Sequence, residues 1–227
     1  MPLIEFAEVT HTFGDGPAVL EDVSVSLQER RIGIIGGNGS GKSTFVRMIN
    51  GLVVPETGTV KVDGDSTANQ ARRIRRKVGF CFTNPDSQIV MPTVAEDVAF
   101  GLRRLRLAKN DVQQRVSGIL ATYGLTELAD RPAHTLSGGQ KQLLALASVV
   151  VTEPEVLVLD EPTTLLDLSN EQRIRREIEQ LDLQVILVTH HLHLLDGFDR
   201  VLVFHGGRLV ADDHPDEARA AYRKLVT

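Results

Sequence analysis

The chain of 227 residues has a single cysteine, Cys81, so no intrachain disulfide can form. Cys81 sits inside the apolar stretch "VGFCF", where a buried, inert thiol is expected. Long apolar runs are lacking too. The longest, "LLALASVVV" at 143–151 and "VLVL" at 156–159, fall short of the roughly 18 residues that a membrane helix needs. The opening residues, "MPLIEFAEVTHTF", carry no basic segment followed by an apolar core, so no secretory signal is expected and the cytoplasm is the expected location. An excess of positive charge is also missing. The formal net charge is −5, which gives no reason to expect nucleic acid as a partner. The local basic run "RRIRRK" at 72–77 is expected to be a solvated surface. There is no internal repeat, low-complexity linker or heptad run.

What is present reads as alternating strands and helices. "LIEFAEVTHTF" (3–13) and "AVLEDVSVSL" (18–27) alternate as half-buried strands do. "RIGIIGG" (31–37) is a continuous apolar run of the kind buried on both faces. A helix over 42–52 follows, with Phe45, Met48, Ile49 and Leu52 on one face and Gly51 as its stop. "GTVKVDG" (58–64) reads as an edge-type strand and "KVGFCF" (77–82) as another strand. From about 93 to 151 the pattern turns helical. Strands return at 155–162, 184–190 and 200–210, the last as a hairpin, with a helix over 169–181 capped by Ser169 and a closing helix over 215–226. The expected fold is α/β: a P-loop NTPase core with an antiparallel β subdomain and an inserted helical subdomain. The whole chain, 1–227, is expected to form one domain. Residues 1–83 and 152–227 supply the nucleotide-binding core, and 84–151 the helical part.

Three motifs carry chemistry. "GGNGSGKS" (36–43) fits G-x-x-x-x-G-K-[ST], with a strand before it and a helix after it. Its glycines let backbone N–H groups wrap a phosphate, and the helix start adds positive field. Gly36, Asn38, Gly39, Ser40, Gly41, Lys42, Ser43 and Thr44 are the expected nucleotide-binding set. In it Lys42 reaches the outer phosphates of ATP, and Ser43 offers a hydroxyl to Mg²⁺. "VLVLDE" (156–161) delivers two carboxylates at the end of a buried strand, where ligands of open α/β sheets bind. Asp160 is placed to hold Mg²⁺ through water, and Glu161 to orient or deprotonate an attacking water. His190 ends another strand, "VILVTH", where it either contacts a γ-phosphate or is a satisfied structural histidine. "HHLH" (190–193) lacks a cluster of cysteine or acidic ligands and is not expected to hold a metal.

"LSGGQ" (136–140) raises a question, because it is a second phosphate-type loop before a helix. A second loop is redundant unless it serves a different nucleotide. The expected arrangement is a head-to-tail dimer: Ser137, Gly138, Gly139 and Gln140 of one chain close over the ATP held by the P-loop of the other.

In this order and spacing the P-loop, "LSGGQ", "VLVLDE", "EPTTLLD" and "VTH" resemble the ATP-binding cassette (ABC) ATPases over nearly the whole chain. The resemblance implies that Phe13 stacks on adenine, the alternative being an ordinary core aromatic. It implies that Asp167 belongs to the loop linking two protomers' sites, although that loop reads "TLLD" here rather than Ser-Ala-Leu-Asp. It makes His190 a switch histidine. The family's glutamine after "VGFCF" is replaced by Thr83, which leaves Thr83 as a shortened candidate for the Mg²⁺ shell. The stretch "TNPDSQIVMPTVAEDVAFGL" (83–102) resembles the ATPase subunits of energy-coupling factor (ECF) importers. That implies a transmembrane coupling protein, a small membrane substrate-binding protein and a second cassette chain, identical or paralogous, as partners at the cytoplasmic face of the cell membrane. Ile89 and Val90 are then expected at the membrane-protein contact, the alternative being that both are core. The short tail after about 212 resembles the biotin branch best, with cobalt and nickel importers as rivals and a soluble non-transport cassette as the other alternative.

Overall fold

The computed structural model describes residues 1–164 and 166–226; Leu165, in the "TLLD" stretch, lies outside them. In chain order the elements are β1 (Ile4–Thr12), β2 (Ala18–Leu27), β3 (Arg31–Gly36), α1 (Lys42–Ile49), β4 (Thr57–Val62), β5 (Asp65–Ser66), α2 (Ala71–Lys77) and β6 (Val78–Cys81). Then come α3 (Val94–Leu102), α4 (Lys109–Thr122), α5 (Gly138–Val150), β7 (Val156–Asp160), α6 (Leu168–Gln180), β8 (Gln184–Val188), β9 (Arg200–His205), β10 (Arg208–Asp213) and α7 (Pro215–Val226). The chain falls into two compact units. One is built from residues 1–79, 155–161 and 183 onward; the other from 80–154 and 162–182.

The first unit holds the sheets, as the mixed α/β reading requires. One is antiparallel, in the order β2-β1-β4-β5. The expected edge strand at 58–64 is therefore an inner one, because the two-residue β5 pairs on its far side. The other sheet has the order β10-β9-β3-β8-β7-β6, with β6 running across the boundary of the unit. β3 pairs parallel to β8 and β9, β7 pairs parallel to β8, and β10 returns antiparallel to β9 through a tight Gly206-Gly207 turn. Every residue of β3, β7 and β8 is buried, as their unbroken apolar runs demand. Helix α1 joins the two sheets. Phe45 stacks on Phe6 of β1 at 4.0 Å between ring centroids, and lies 4.9 Å from Phe204 of β9. Truncating a buried phenylalanine of this kind costs about 3–5 kcal/mol.

Two sequence expectations are corrected here. Helix α1 stops at Ile49, and Gly51 has left-handed φ of 65°, so Leu52 lies beyond the helix and is 44% exposed rather than on its buried face. The basic run "RRIRRK" is the helix α2, and it is not merely a solvated surface. Ile74 is fully buried, Arg75 donates to the carbonyls of Asn50 (2.9 Å) and Gly51 (2.7 Å), and Lys77 pairs with Asp63 at 2.7 Å. The two carbonyls at the end of α1 thus receive a guanidinium where the helix itself offers no donor.

The second unit is helical. Thr93 and Glu96 form a reciprocal capping box at the start of α3. Asp167, not Ser169, caps α6: its Oδ1 accepts from the amide of Asn170 at 2.8 Å. The helix starts one residue earlier than its apolar pattern suggests, at an exposed Leu168.

Candidate functional site

The first site is built where β3 meets α1. Gly36 and Gly41 are forced by close approach: a Cβ on Gly36 would lie 2.2 Å from the Phe204 carbonyl oxygen, and one on Gly41 2.4 Å from that of Val19. Gly41 also has φ of 96° and offers no side chain to cap α1. The helix therefore begins with uncapped amides at the loop, which is the arrangement that receives an anion. Asn38 and Gly39 are exposed on the loop, while Ser40 and Thr44 are buried. The Ser40 hydroxyl has no hydrogen-bond partner among the described residues. Lys42 is buried and folds back so that Nζ donates to the carbonyls of Gly36 (2.9 Å) and Gly37 (2.8 Å). Burial pulls its pKa down, and the charges of Glu161 and Asp160 oppose that fall.

Asp160 ends β7 fully buried. The Ser43 hydroxyl donates to its Oδ1 at 2.9 Å, and Arg47, one turn further along α1, approaches Oδ2 at 3.4 Å. Burial raises the carboxyl's pKa; the Ser43 hydrogen bond and the Arg47 charge pull the other way. Glu161 follows with left-handed φ of 52°, a conformation that costs a non-glycine residue about 1–2 kcal/mol, and its amide donates to the Val188 carbonyl at 3.0 Å. The reversal puts its Oε2 3.2 Å from Nδ1 of His190. His190 is held just past β8, where the Thr189 amide donates to the Ile34 carbonyl at 3.1 Å. Its ring meets His191 edge-on at 4.2 Å. That contact with Glu161 satisfies one ring nitrogen of His190 and agrees with both readings of the residue, the γ-phosphate contact and the structural histidine.

Phe13 lies one residue past β1 and is 59% exposed, so the core-aromatic alternative falls.

In the second unit, Ser137 caps α5. Its Oγ accepts from the Gln140 amide (3.3 Å), and Gln140 Oε1 accepts from the Ser137 amide (2.9 Å). Gly139 is buried against Asn170; a Cβ there would lie 2.2 Å from Asn170 Oδ1. Asn170 in turn donates to Asp167 Oδ1 through its amide and its Nδ2 at 2.8 and 3.0 Å. Gly139 of "LSGGQ" and Asp167 therefore meet on the same residue, Asn170 of α6. Thr83 lies in a half-buried bend after β6. Cys81 is buried and its thiol is pushed up to about 12 by loss of solvent, an unreactive state.

A model of the ABC transporter family matches residues 20–164. The chain belongs to that family. It is similar to the biotin transport ATP-binding protein BioM of Rhizobium etli, 49% identical over 98% of this chain and 99% of that one. It is similar to the energy-coupling factor transporter ATP-binding protein EcfA1 of Caldanaerobacter subterraneus, 39% identical over 95% of this chain and 82% of that one. Among solved structures, cbiO1 of Clostridium perfringens, described as part of the ABC transporter complex cbiONQ, superposes with a TM-score of 0.84 at 31% identity, covering 98% of this chain and 93% of that one. As an ABC ATPase the chain hydrolyses ATP in the service of transport, and no described helix is long and apolar enough to cross a membrane.

Three residues of this cassette were missed in its sequence. Arg47 neutralises Asp160 from position i+4 to Ser43, a spacing visible in the sequence once both are assigned to the site. Asn170 touches Gly139 only because α6 packs there, which no local pattern signals. Asp97 is buried and organises the ECF-like stretch. Its Oδ1 accepts from the amides of Val90 (2.8 Å) and Met91 (3.0 Å), and Oδ2 accepts from Ser148 (2.9 Å). The clamp leaves Val90 60% exposed, so the alternative that Ile89 and Val90 are both core fails at Val90; Ile89 is half-buried.

Proposed function

We propose that this chain is the ATP-hydrolysing subunit of an ECF-type importer, with biotin as the favoured cargo. The observation that carries the catalytic part is the pairing of Ser43 with a buried Asp160, flanked by Glu161 on His190. The cargo reading is supported by the near full-length similarity to BioM, a biotin transport protein, and by the similarity to EcfA1.

Phosphates of ATP take the uncapped amides of α1, and Lys42 turns from the Gly36 and Gly37 carbonyls to the outer phosphates. The unpaired Ser40 hydroxyl and the buried, partly compensated Asp160 fit a phosphate and a cation. Bound Mg²⁺ would neutralise and polarise the terminal phosphates, with Ser43 and Asp160 as the residues that hold it. Thr83, standing where the family carries glutamine, is a further candidate for that shell, with a shorter reach than glutamine would have. Glu161 orients and deprotonates the attacking water, and His190 holds the Glu161 carboxylate in place while facing the γ-phosphate. Phe13 supplies an exposed ring for adenine. Ser137, Gly138, Gly139 and Gln140 act on the ATP of a second cassette chain, and Asp167 reports between the two sites. The stretch around Val90 meets the transmembrane coupling protein, which places the dimer at the cytoplasmic face of the membrane.

The test has two parts. Purified chain should hydrolyse ATP, and Glu161→Gln should bind ATP without turning it over. Cells that carry the chain with its membrane partners should accumulate labelled biotin, and cells without it should not. Accumulation of cobalt or nickel instead assigns the chain to the metal branch. Survival of full ATPase activity in Glu161→Gln removes the catalytic assignment.

A further inference from the structure

His11 is the unusual buried polar group of the first unit. It is only 8% exposed, and neither ring nitrogen has a hydrogen-bond partner among the described residues. A buried polar group left unpaired is destabilising, so such groups call for an explanation. His11 faces inward from β1, two residues before Phe13, which lies one residue past the strand. That face is otherwise apolar: Val9 is fully buried, and the cross-strand partner of His11 is Leu20, also fully buried. Leu20 in turn lies against Gly41, since a Cβ there would come within 2.7 Å of Leu20 Cδ2. So Val9 and His11 face the core beside Leu20, which reaches the start of α1. The core ends between His11 and Phe13, and Phe13 emerges into solvent. The His11 and Phe13 rings meet edge to face, 4.7 Å apart at 89°. Aromatic rings attract in this geometry because the positive edge of one meets the negative face of the other.

We propose that His11 is a positioning residue for the nucleotide base: it holds the exposed Phe13 ring in one orientation so that the ring presents a fixed face for stacking. The inference rests on the reading of Phe13 as the adenine platform. An unsupported phenylalanine at a strand end rotates freely about χ1 and χ2 and must be ordered each time a base binds. The edge contact with a buried ring orders it in advance. An aromatic imidazole at this inward position serves Phe13 at a cost in stability that an aliphatic residue would avoid.

The test is a double-mutant cycle on the full chain, read by calorimetric binding of ATP and of inorganic tripolyphosphate. His11→Ala should weaken ATP binding about three- to tenfold, the range of a ring–ring contact, and leave tripolyphosphate binding unchanged. His11→Phe, which keeps an aromatic edge, should restore ATP affinity. In a Phe13→Ala background, removal of His11 should change nothing further. His11→Leu keeps the volume should the alanine variant fail to fold. It should melt no lower than the parent while still losing ATP affinity, a divergence that packing alone does not produce. Equal loss of ATP and tripolyphosphate, or a His11 effect of the same size without Phe13, overturns the proposal. If Phe13→Ala itself leaves ATP affinity intact, the adenine platform is wrong, and the inference falls with it for that separate reason.

Discussion

The two glycine loops look alike in sequence and differ in how their helices begin. At α1 the cap position is Gly41, no side chain covers the first amides, and a buried lysine waits on two loop carbonyls. At α5 the cap is Ser137, bonded reciprocally with Gln140. The first helix start is left open for an anion of its own. The second satisfies itself without a ligand. On the function proposed above, that difference explains why one ATP-sized site should need two loops: the first would bind, and the second would close over the nucleotide of another chain. Variants of the first should act on a single chain, whereas variants of the second should act only on a pair.

The largest effect expected is on the first side. Glu161→Gln should lower the hydrolysis rate by about 10²–10⁴-fold, the usual share of a general base, while ATP binding persists and the ATP-bound dimer accumulates. Steady-state ATPase rates with light scattering measure both. Lys42→Ala should then weaken ATP binding by about 10- to 100-fold, as the loss of a charged hydrogen bond does. In contrast, Ser137→Arg should leave the ATP affinity of the isolated chain intact and abolish hydrolysis. Titration calorimetry separates the two, and equal damage to affinity would erase the distinction between the loops.

Asp160→Asn should stop hydrolysis and yet stabilise the unliganded protein. Burial holds the Asp160 pKa above its value in the unfolded chain. Between those two values the folded protein keeps a proton that the unfolded chain has lost. This residue's contribution therefore favours the fold at the acid end of the window and is lost as pH rises through it. Above the window an ionised carboxylate is buried, which asparagine avoids. The melting temperature of Asp160→Asn should exceed the parent's at neutral pH, by about 2–4 °C for each kcal/mol recovered, and the gap should close as pH falls.

Much of this was legible in the sequence, for identifiable reasons. β3, β7 and β8 announce themselves as unbroken apolar runs because they are buried on both faces. The P-loop is legible because its glycines answer local demands, such as the left-handed φ of 96° at Gly41. Long-range geometry was not. The cap of α6 was placed on Ser169 because serine is a common cap, but Asp167 also holds Asn170, the residue packed on Gly139. The basic run at 72–77 looked like surface because its function is to satisfy the end of α1, some two dozen residues earlier. The left-handed turn at Glu161 leaves no mark in "VLVLDE" at all.

The smallest effect expected sharpens the comparison from the other side. Ser137→Ala removes the cap of α5 and should cost about 1 kcal/mol, read as a melting temperature about 2–4 °C lower. No equivalent loss is available at α1, whose cap position has no side chain to remove.

The central claim is that the open loop of one chain and the self-capped loop of another share one ATP, and mixing tests it most directly. Lys42→Ala and Ser137→Arg chains should each be inactive alone. In a mixed dimer both lesions fall in the same site and leave the other whole. With subunit exchange demonstrated by labelled chains, the account predicts that ATP hydrolysis returns on mixing. Mixtures that remain as inactive as either variant alone, at every ratio, would contradict it.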